Sequence, residues 1–305
     1  MDRPLRTIVV GIADIEGTDP HLEPAIRLAE RAGATLIVVH AYRLPDPLLY
    51  PYIEMGVFNP EMVKGVHDAV QGKLEAQVAK LSPRGPVHCR TVPVPGDAAI
   101  VEVAEKEKAD LIMVGATQRG TLSRTVLGTT AQRVVRAAAV PVLVNRRPGH
   151  GAMRRVLMTT DLSDLSAAVY RRARTVLDAL AREDEVQFRT LLVVGHDLET
   201  PPHLRQQLLN DLLRNELGAF LQRTGDAETA GRVRLGEASS EIVAEAVEWG
   251  ADLLVLGTHG RGGVSRFLIG SVAESVLRGA LCDVLVIPAA AVSPPADVPT
   301  PEART

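Results

Sequence analysis

At 305 residues with 46% apolar side chains, the chain is long enough for about two domains with sizeable cores, and with aromatics at 3% those cores must be built from Val, Leu, Ala and Ile. A formal net charge of −3, spread without long like-charge blocks, leaves no electrostatic footprint for nucleic acid or an anionic membrane surface. No stretch approaches the ~18 apolar residues of a membrane span, and Cys89 and Cys282, one per half and without metal-ligand spacing, read as free thiols, so the expectation is a soluble cytoplasmic protein.

The N-terminus enters a strand at once, Ile8 to Gly11, followed closely by Asp14. "EPAIRLAERAG" then predicts a helix stopped by Gly33, and Leu36 to Val39 the next strand. Residues 42–58, "YRLPDPLLYPYIEMGVF", hold three of the four tyrosines and read as an irregular insertion, either packed over its own sheet or serving as a lid or partner surface. Leu111 to Val114 and Val142 to Val144 complete the first series of short apolar runs, which read as strands buried on both faces. "NRRPGHGAM", residues 145–153, reads as a linker. Beyond it, "RVLMTTD" ending at Asp161 answers "TIVVGIAD" ending at Asp14, "SEIVAEAVEWG" predicts a helix stopped by Gly250, and "DLLVL", "VAESVLRGA" and "CDVLVIP" give strand, helix and strand. The tail "AAAVSPPADVPTPEART" is rich in Pro and Ala and is expected to be disordered.

These elements form a repeat. Residues 109–144 align with residues 251–286 without a gap, with 16 identities over 36 positions. Alternating strand and helix in each copy implies right-handed crossovers and a parallel sheet covered on both faces, with ligands beyond the carboxyl ends of the strands. The expected fold is α/β, two tandem doubly wound parallel-sheet domains of Rossmann-like type. The divisions are 1–148, 149–290 and a disordered 291–305, with residues 140–145 and 282–287 as the interface between the halves, because an apolar edge strand left unpaired is an aggregation hazard.

In "GTHGRGGVSRFLIGS", residues 257–271, Gly257, Gly260 and the pair Gly270-Ser271 are spaced G-x2-G-x9-G-S between a strand and a helix. Glycines let main-chain N–H groups approach an anion, and a helix N-terminus supplies unpaired donors, so the geometry suits phosphate. An alternative for Ser271 is a capping box with Glu274, in which Ser271 accepts from the N–H three residues on; this leaves Gly257 and Gly260 unexplained. Neither a G-x4-G-K-[ST] loop nor a G-x-G-x-x-G turn after the first strand of either half is present. In the first half the loop reads Gly115, Gln118, Gly128-Thr129, with Gln at the second glycine position, while Thr129 and Gln132 keep the capping-box pattern.

The G-x2-G-x9-G-[ST] loop, the Asp closing the first strand and the final "CDVLVIP" resemble the universal stress protein family in a tandem form covering about residues 4–288. The resemblance places the fold with the adenine nucleotide alpha-hydrolase-like group and implies ATP in the second half, with Mg2+ or Mn2+ on the phosphates and no metal ligands from protein side chains. It further implies Asp161 on the adenine side, Gly257, Gly260 and Gly270 at phosphate and ribose, Ser271 at the terminal phosphates, and Leu256 as a main-chain or apolar contact. His259 and Arg261 are candidates for phosphate contacts, with an exposed loop role for His259 and a surface or interface role for Arg261 as the alternatives. Asp14, Gly115, Gln118, Gly128 and Thr129 then form a degenerate counterpart. Asp161 and Asp14 are equally ordinary turn residues, and "TDLSD" offers Ser163 or Asp164 as the next helix cap.

No nucleophile with a paired base and no clustered carboxylates stand out, so the reading is a non-enzymatic nucleotide-binding stress-response module and names no catalytic residue. A nucleotide-hydrolysing or nucleotidyl-transferring enzyme on the same fold, or a ligand-free scaffold, are the alternatives. The two halves are expected to form a pseudo-dimer within the chain, with a homodimer left open.

Overall fold

In the computed structural model, which describes residues 5–42, 60–118, 125–148, 153–180, 185–195, 202–258 and 269–292, the buried apolar runs become strands of one sheet. The first half contributes β1 (Thr7–Ile12), β2 (Thr35–Ala41), β3 (Val87–Val92), β4 (Leu111–Gly115) and β7 (Val142–Asn145), with a separate two-residue pair β5 (Thr117–Gln118) and β6 (Thr125–Val126). The second half contributes β8 (Arg155–Thr160), β9 (Gln187–Val194), β10 (Ala230–Leu235), β11 (Leu253–Gly257) and β12 (Asp283–Ile287). The ten-stranded order is β10-β9-β8-β11-β12-β7-β4-β1-β2-β3. Eight of the nine neighbours in it pair in parallel; the ninth, β12 with β7, is antiparallel. That junction matches Val284 to Val144, Leu285 to Leu143 and Val286 to Val142, within the expected interface segments.

Helices α1 (Leu22–Ala32), α2 (Pro60–Lys80) and α5 (Asp164–Leu180) supply one core layer, which runs across both halves. Helices α3 (Gly96–Lys106), α4 (Thr129–Ala137), α8 (Ala238–Trp249) and α9 (Ser271–Gly279) supply the layer on the opposite face. Between α5 and α8 the chain runs through α6 (Pro202–Asp211), a π-helical turn at Leu212–Leu217 and α7 (Gly218–Thr224). The expected stops hold: Gly33 at φ 64° and Gly250 at φ 66° take the left-handed conformation that closes a helix most cheaply without a Cβ. The repeat extends to single hydrogen bonds. Asp110 accepts from the N–H groups of Arg6 and Thr7, and its counterpart Asp252 accepts from those of Arg154 and Arg155, so each pins the start of its half's first strand.

The tail departs from expectation at its beginning. Residues 289–291 form a 3-10 turn, with Ala291 N–H donating to Pro288 O at 3.0 Å, and Ala291 and Val292 pack on the core, because their apolar side chains lie beside the end of β12. The rest of the tail, residues 293–305, lies outside the described residues, as does the aromatic insertion apart from Tyr42, whose hydroxyl meets His67 Nδ1 at 3.0 Å. Among the described residues no helix is long and apolar enough to cross a membrane.

Candidate functional site

β8 and β11 are adjacent and parallel, with Met158 opposite Val255, so Asp161 and Gly257 are delivered to the same carboxyl end of the sheet. Thr258 then turns the chain out of the sheet. Its N–H donates to Ile287 O at 3.2 Å, its Oγ1 accepts from Ala289 N–H at 3.2 Å, and its carbonyl accepts from Gly270 N–H at 2.7 Å. The two ends of the long glycine loop are thereby closed on each other at the head of α9. His259, Gly260 and Arg261, with the rest of residues 259–268, lie outside the described residues.

Gly270 has φ −61° and ψ 148°, extended backbone open to any residue. Its need for glycine is spatial: a Cβ there would come 3.2 Å from the Thr258 carbonyl. The Gly270 N–H is spent on that carbonyl, so whatever this glycine offers a ligand is close approach and not a donor.

The capping boxes that the sequence offers as an alternative do not form. Gly270 and Gly128 are themselves the N-caps of α9 and α4, and among the described residues neither terminus has a side-chain cap. Glu274, which would reach back, instead accepts from Arg136 of the first half at 2.9 Å and from Arg278 at 2.5 Å. Two guanidiniums outcompete one neutral N–H for a carboxylate. Ser271 is left as the first residue of α9 with its side chain exposed.

Leu256 is 4% exposed and belongs to the core layer that contains Ala273, Val276 and Val286, at the end of β11 just before Gly257. Asp161 Oδ1 accepts from Ser163 N–H at 3.0 Å and Ser163 Oγ at 2.6 Å, and Ser163 Oγ accepts from Ser166 N–H at 3.1 Å. Ser163 is thus the cap that the sequence offered, and Asp161 holds it in place.

The first half repeats this plan with differences. Ala116 N–H donates to Asn145 O at 2.9 Å, as Thr258 does to Ile287, but the loop then closes by pairing Gln118 with Thr125. Asp14 Oδ1 accepts from Glu16 N–H at 2.8 Å and Gly17 N–H at 3.0 Å, and these bonds, Gly17 foremost, hold its carboxyl below the usual range. Gly115 meets a residue that sequence reasoning missed: a Cβ on it would lie 2.1 Å from Cδ2 and 2.2 Å from Nε2 of His21. His21 is buried, and its Nδ1 bonds Asn145 Oδ1 at 2.7 Å. The sequence signal was indirect, since Asp14 is separated from α1 by residues 15–21 whereas Asp161 is separated from α5 by residues 162–163 alone.

Both cysteines are free. Among the described residues no cluster of His, Cys, Asp or Glu is placed to hold a metal ion.

The family model described as Universal stress protein family matches residues 4–146 and 153–288. Among named relatives, a universal stress protein of Methanocaldococcus jannaschii is 30% identical over 149 residues, 46% of this chain and 85% of that one. A universal stress protein of Mycobacterium tuberculosis is 27% identical over 205 residues, covering 64% of this chain and 66% of the relative. Among solved structures, a universal stress protein from Archaeoglobus fulgidus superposes with TM-score 0.60 at 16% identity over 92% of this chain and 98% of that one. A Pseudomonas aeruginosa protein described as functionally unknown gives TM-score 0.70 at 18% identity over 94% of each chain. At these identities the solved structures speak for the fold alone.

Proposed function

The chain belongs to the universal stress protein family, matched twice in tandem, and from that premise we propose that it is a non-enzymatic, cytoplasmic nucleotide-binding module whose second half holds ATP. The observation that carries this reading is the head of α9. Among the described residues its N-terminus has no side-chain cap, Ser271 stands exposed on it, and Gly270 is seated where a Cβ would press on Thr258. Donors left unpaired at a helix terminus, beside a glycine that keeps the approach open, suit the phosphates of a nucleotide.

In this reading Ser271 and the first turn of α9 meet the terminal phosphates. Gly257, Gly260 and Gly270 let the main chain close on phosphate and ribose, with His259 and Arg261 as polar side chains of the same loop. Asp161 faces adenine with the carboxylate geometry set by Ser163, and Leu256 takes part as a main-chain or apolar contact. Mg2+ bound with the phosphates would neutralise part of their charge without ligands from this chain's side chains. The functional divisions are residues 1–148 and 149–290, the first dedicated to structure and the second to ligand.

Mass analysis of small molecules released by denaturing the freshly purified chain tests the proposal. Adenine nucleotide released at up to one per chain is expected; a chain that neither carries nor takes up adenine nucleotide would be a scaffold.

A further inference from the structure

We propose that His21 is the built-in occupant of the first half's ligand seat, so that this half is closed by its own side chain and the chain is limited to one nucleotide. The inference rests on the nucleotide reading above and replaces the loop glycine as the main cause of the asymmetry between the halves.

The device starts in the longer connection after β1. Asp19 Oδ2 accepts from the N–H groups of Ala13 at 2.8 Å and Asp14 at 3.2 Å, while Oδ1 accepts from His21 N–H at 2.9 Å. This folds residues 15–21 back over the end of β1 and sets His21 immediately before α1. From there the imidazole lies against Gly115, close enough that a Cβ would fall 2.1 Å from Cδ2 and 2.2 Å from Nε2. Gly115 occupies the first position of the glycine motif, the one held by Gly257 in the second half. In the second half that position is expected to face nucleotide; here it faces a buried histidine.

The ring is also tied down. Asn145 Nδ2 donates to Asp283 Oδ2 at 2.9 Å, which leaves Asn145 Oδ1 as an acceptor, so His21 Nδ1 carries the proton in their 2.7 Å bond. Asp283 Oδ1 in turn accepts from the N–H groups of Arg146 at 2.6 Å and Arg147 at 3.1 Å. The chain His21, Asn145, Asp283 therefore crosses from α1 through β7 to β12 of the other half, beside the antiparallel junction. A ligand entering over Gly115 would have to displace the imidazole and break a hydrogen-bond chain that joins the halves. Restoring glycine at Gln118 leaves that plug in place.

Two measurements on the full chain test this. In denaturant unfolding, Gly115→Ala is expected to destabilise the parent strongly, and the loss should largely disappear in a His21→Ala background, where the new Cβ has room; additive effects would overturn the contact. In titration calorimetry with Mg-ATP, the parent and Gln118→Gly are expected to bind one nucleotide, and His21→Ala combined with Gln118→Gly a second, weaker one. His21→Ser serves the same purpose if the alanine variant does not fold. A second site gained by Gln118→Gly alone, or a folded double variant that still binds one, overturns the proposal. A parent that binds no nucleotide while the unfolding effects remain non-additive overturns the nucleotide reading, and with it the seat, and leaves His21 as packing alone.

Discussion

Leu143 of β7 and Leu285 of β12 lie directly opposite each other at the antiparallel junction of the sheet, 3% and 0% exposed. Because the two halves share one sheet and both core layers there, they should behave as one body. Limited proteolysis within residues 147–153, beyond the buried Asn145 and Arg146, is expected to leave the fragments eluting together on gel filtration; two separable, stable halves would contradict the shared sheet. Leu285→Ala should cost about 2–5 kcal/mol in urea unfolding, the usual range for a fully buried leucine.

The pair Arg136 and Glu274 joins α4 to α9 at 2.9 Å, with side chains 49% and 29% exposed. Water screens such a pair, so a double-mutant cycle should return only about 0.2–1 kcal/mol, falling with added salt. A larger, salt-insensitive coupling would mean that the pair is less exposed in solution than in this geometry.

These two contacts show what was legible in the sequence. The apolar runs around Leu143 and Leu285 announced buried strands, and the unpaired-edge argument placed them together, since both rest on local pattern. The stops at Gly33 and Gly250 were equally local. The capping box at Ser271 failed because Glu274 is claimed by a residue 138 positions away, which no four-residue motif can register. His21 was missed for the same reason: its meaning depends on Gly115 and Asn145, brought near only by the sheet order.

Tyr170 is 2% exposed and its hydroxyl is shared between Thr190 Oγ1 at 3.0 Å and Asp226 Oδ2 at 2.8 Å, with burial holding the phenol well above its usual range. Tyr170→Phe removes the donor to a carboxylate and is expected to cost about 1–3 kcal/mol. Calorimetric melting of the variant checks it, and an unchanged melting temperature would mean that water replaces the hydroxyl.

Burial, reinforced by Glu75 at Cys89 and by Asp283 at Cys282, pushes both thiols up to about 11. In the native chain both should react slowly with a thiolate-selective disulfide reagent at pH 8, and rapidly once unfolded. A thiol released by unfolding titrates near 9.0, so the contribution to stability is full below that pH and drains as pH rises from about 9 to about 11. Fast labelling of the folded protein at pH 8 would show the thiols to be more accessible than this packing allows.

The central claim is one nucleotide per chain, held by the second half, and titration calorimetry of the full chain with Mg-ATP tests it most directly. The account predicts a stoichiometry of one, with Gly260→Gln weakening affinity about tenfold or more, a change of ~1.4 kcal/mol, since on this account a long side chain would stand where the main chain closes on phosphate. Two equal sites in the parent, or a Gly260→Gln protein that binds as tightly as its parent, would contradict it.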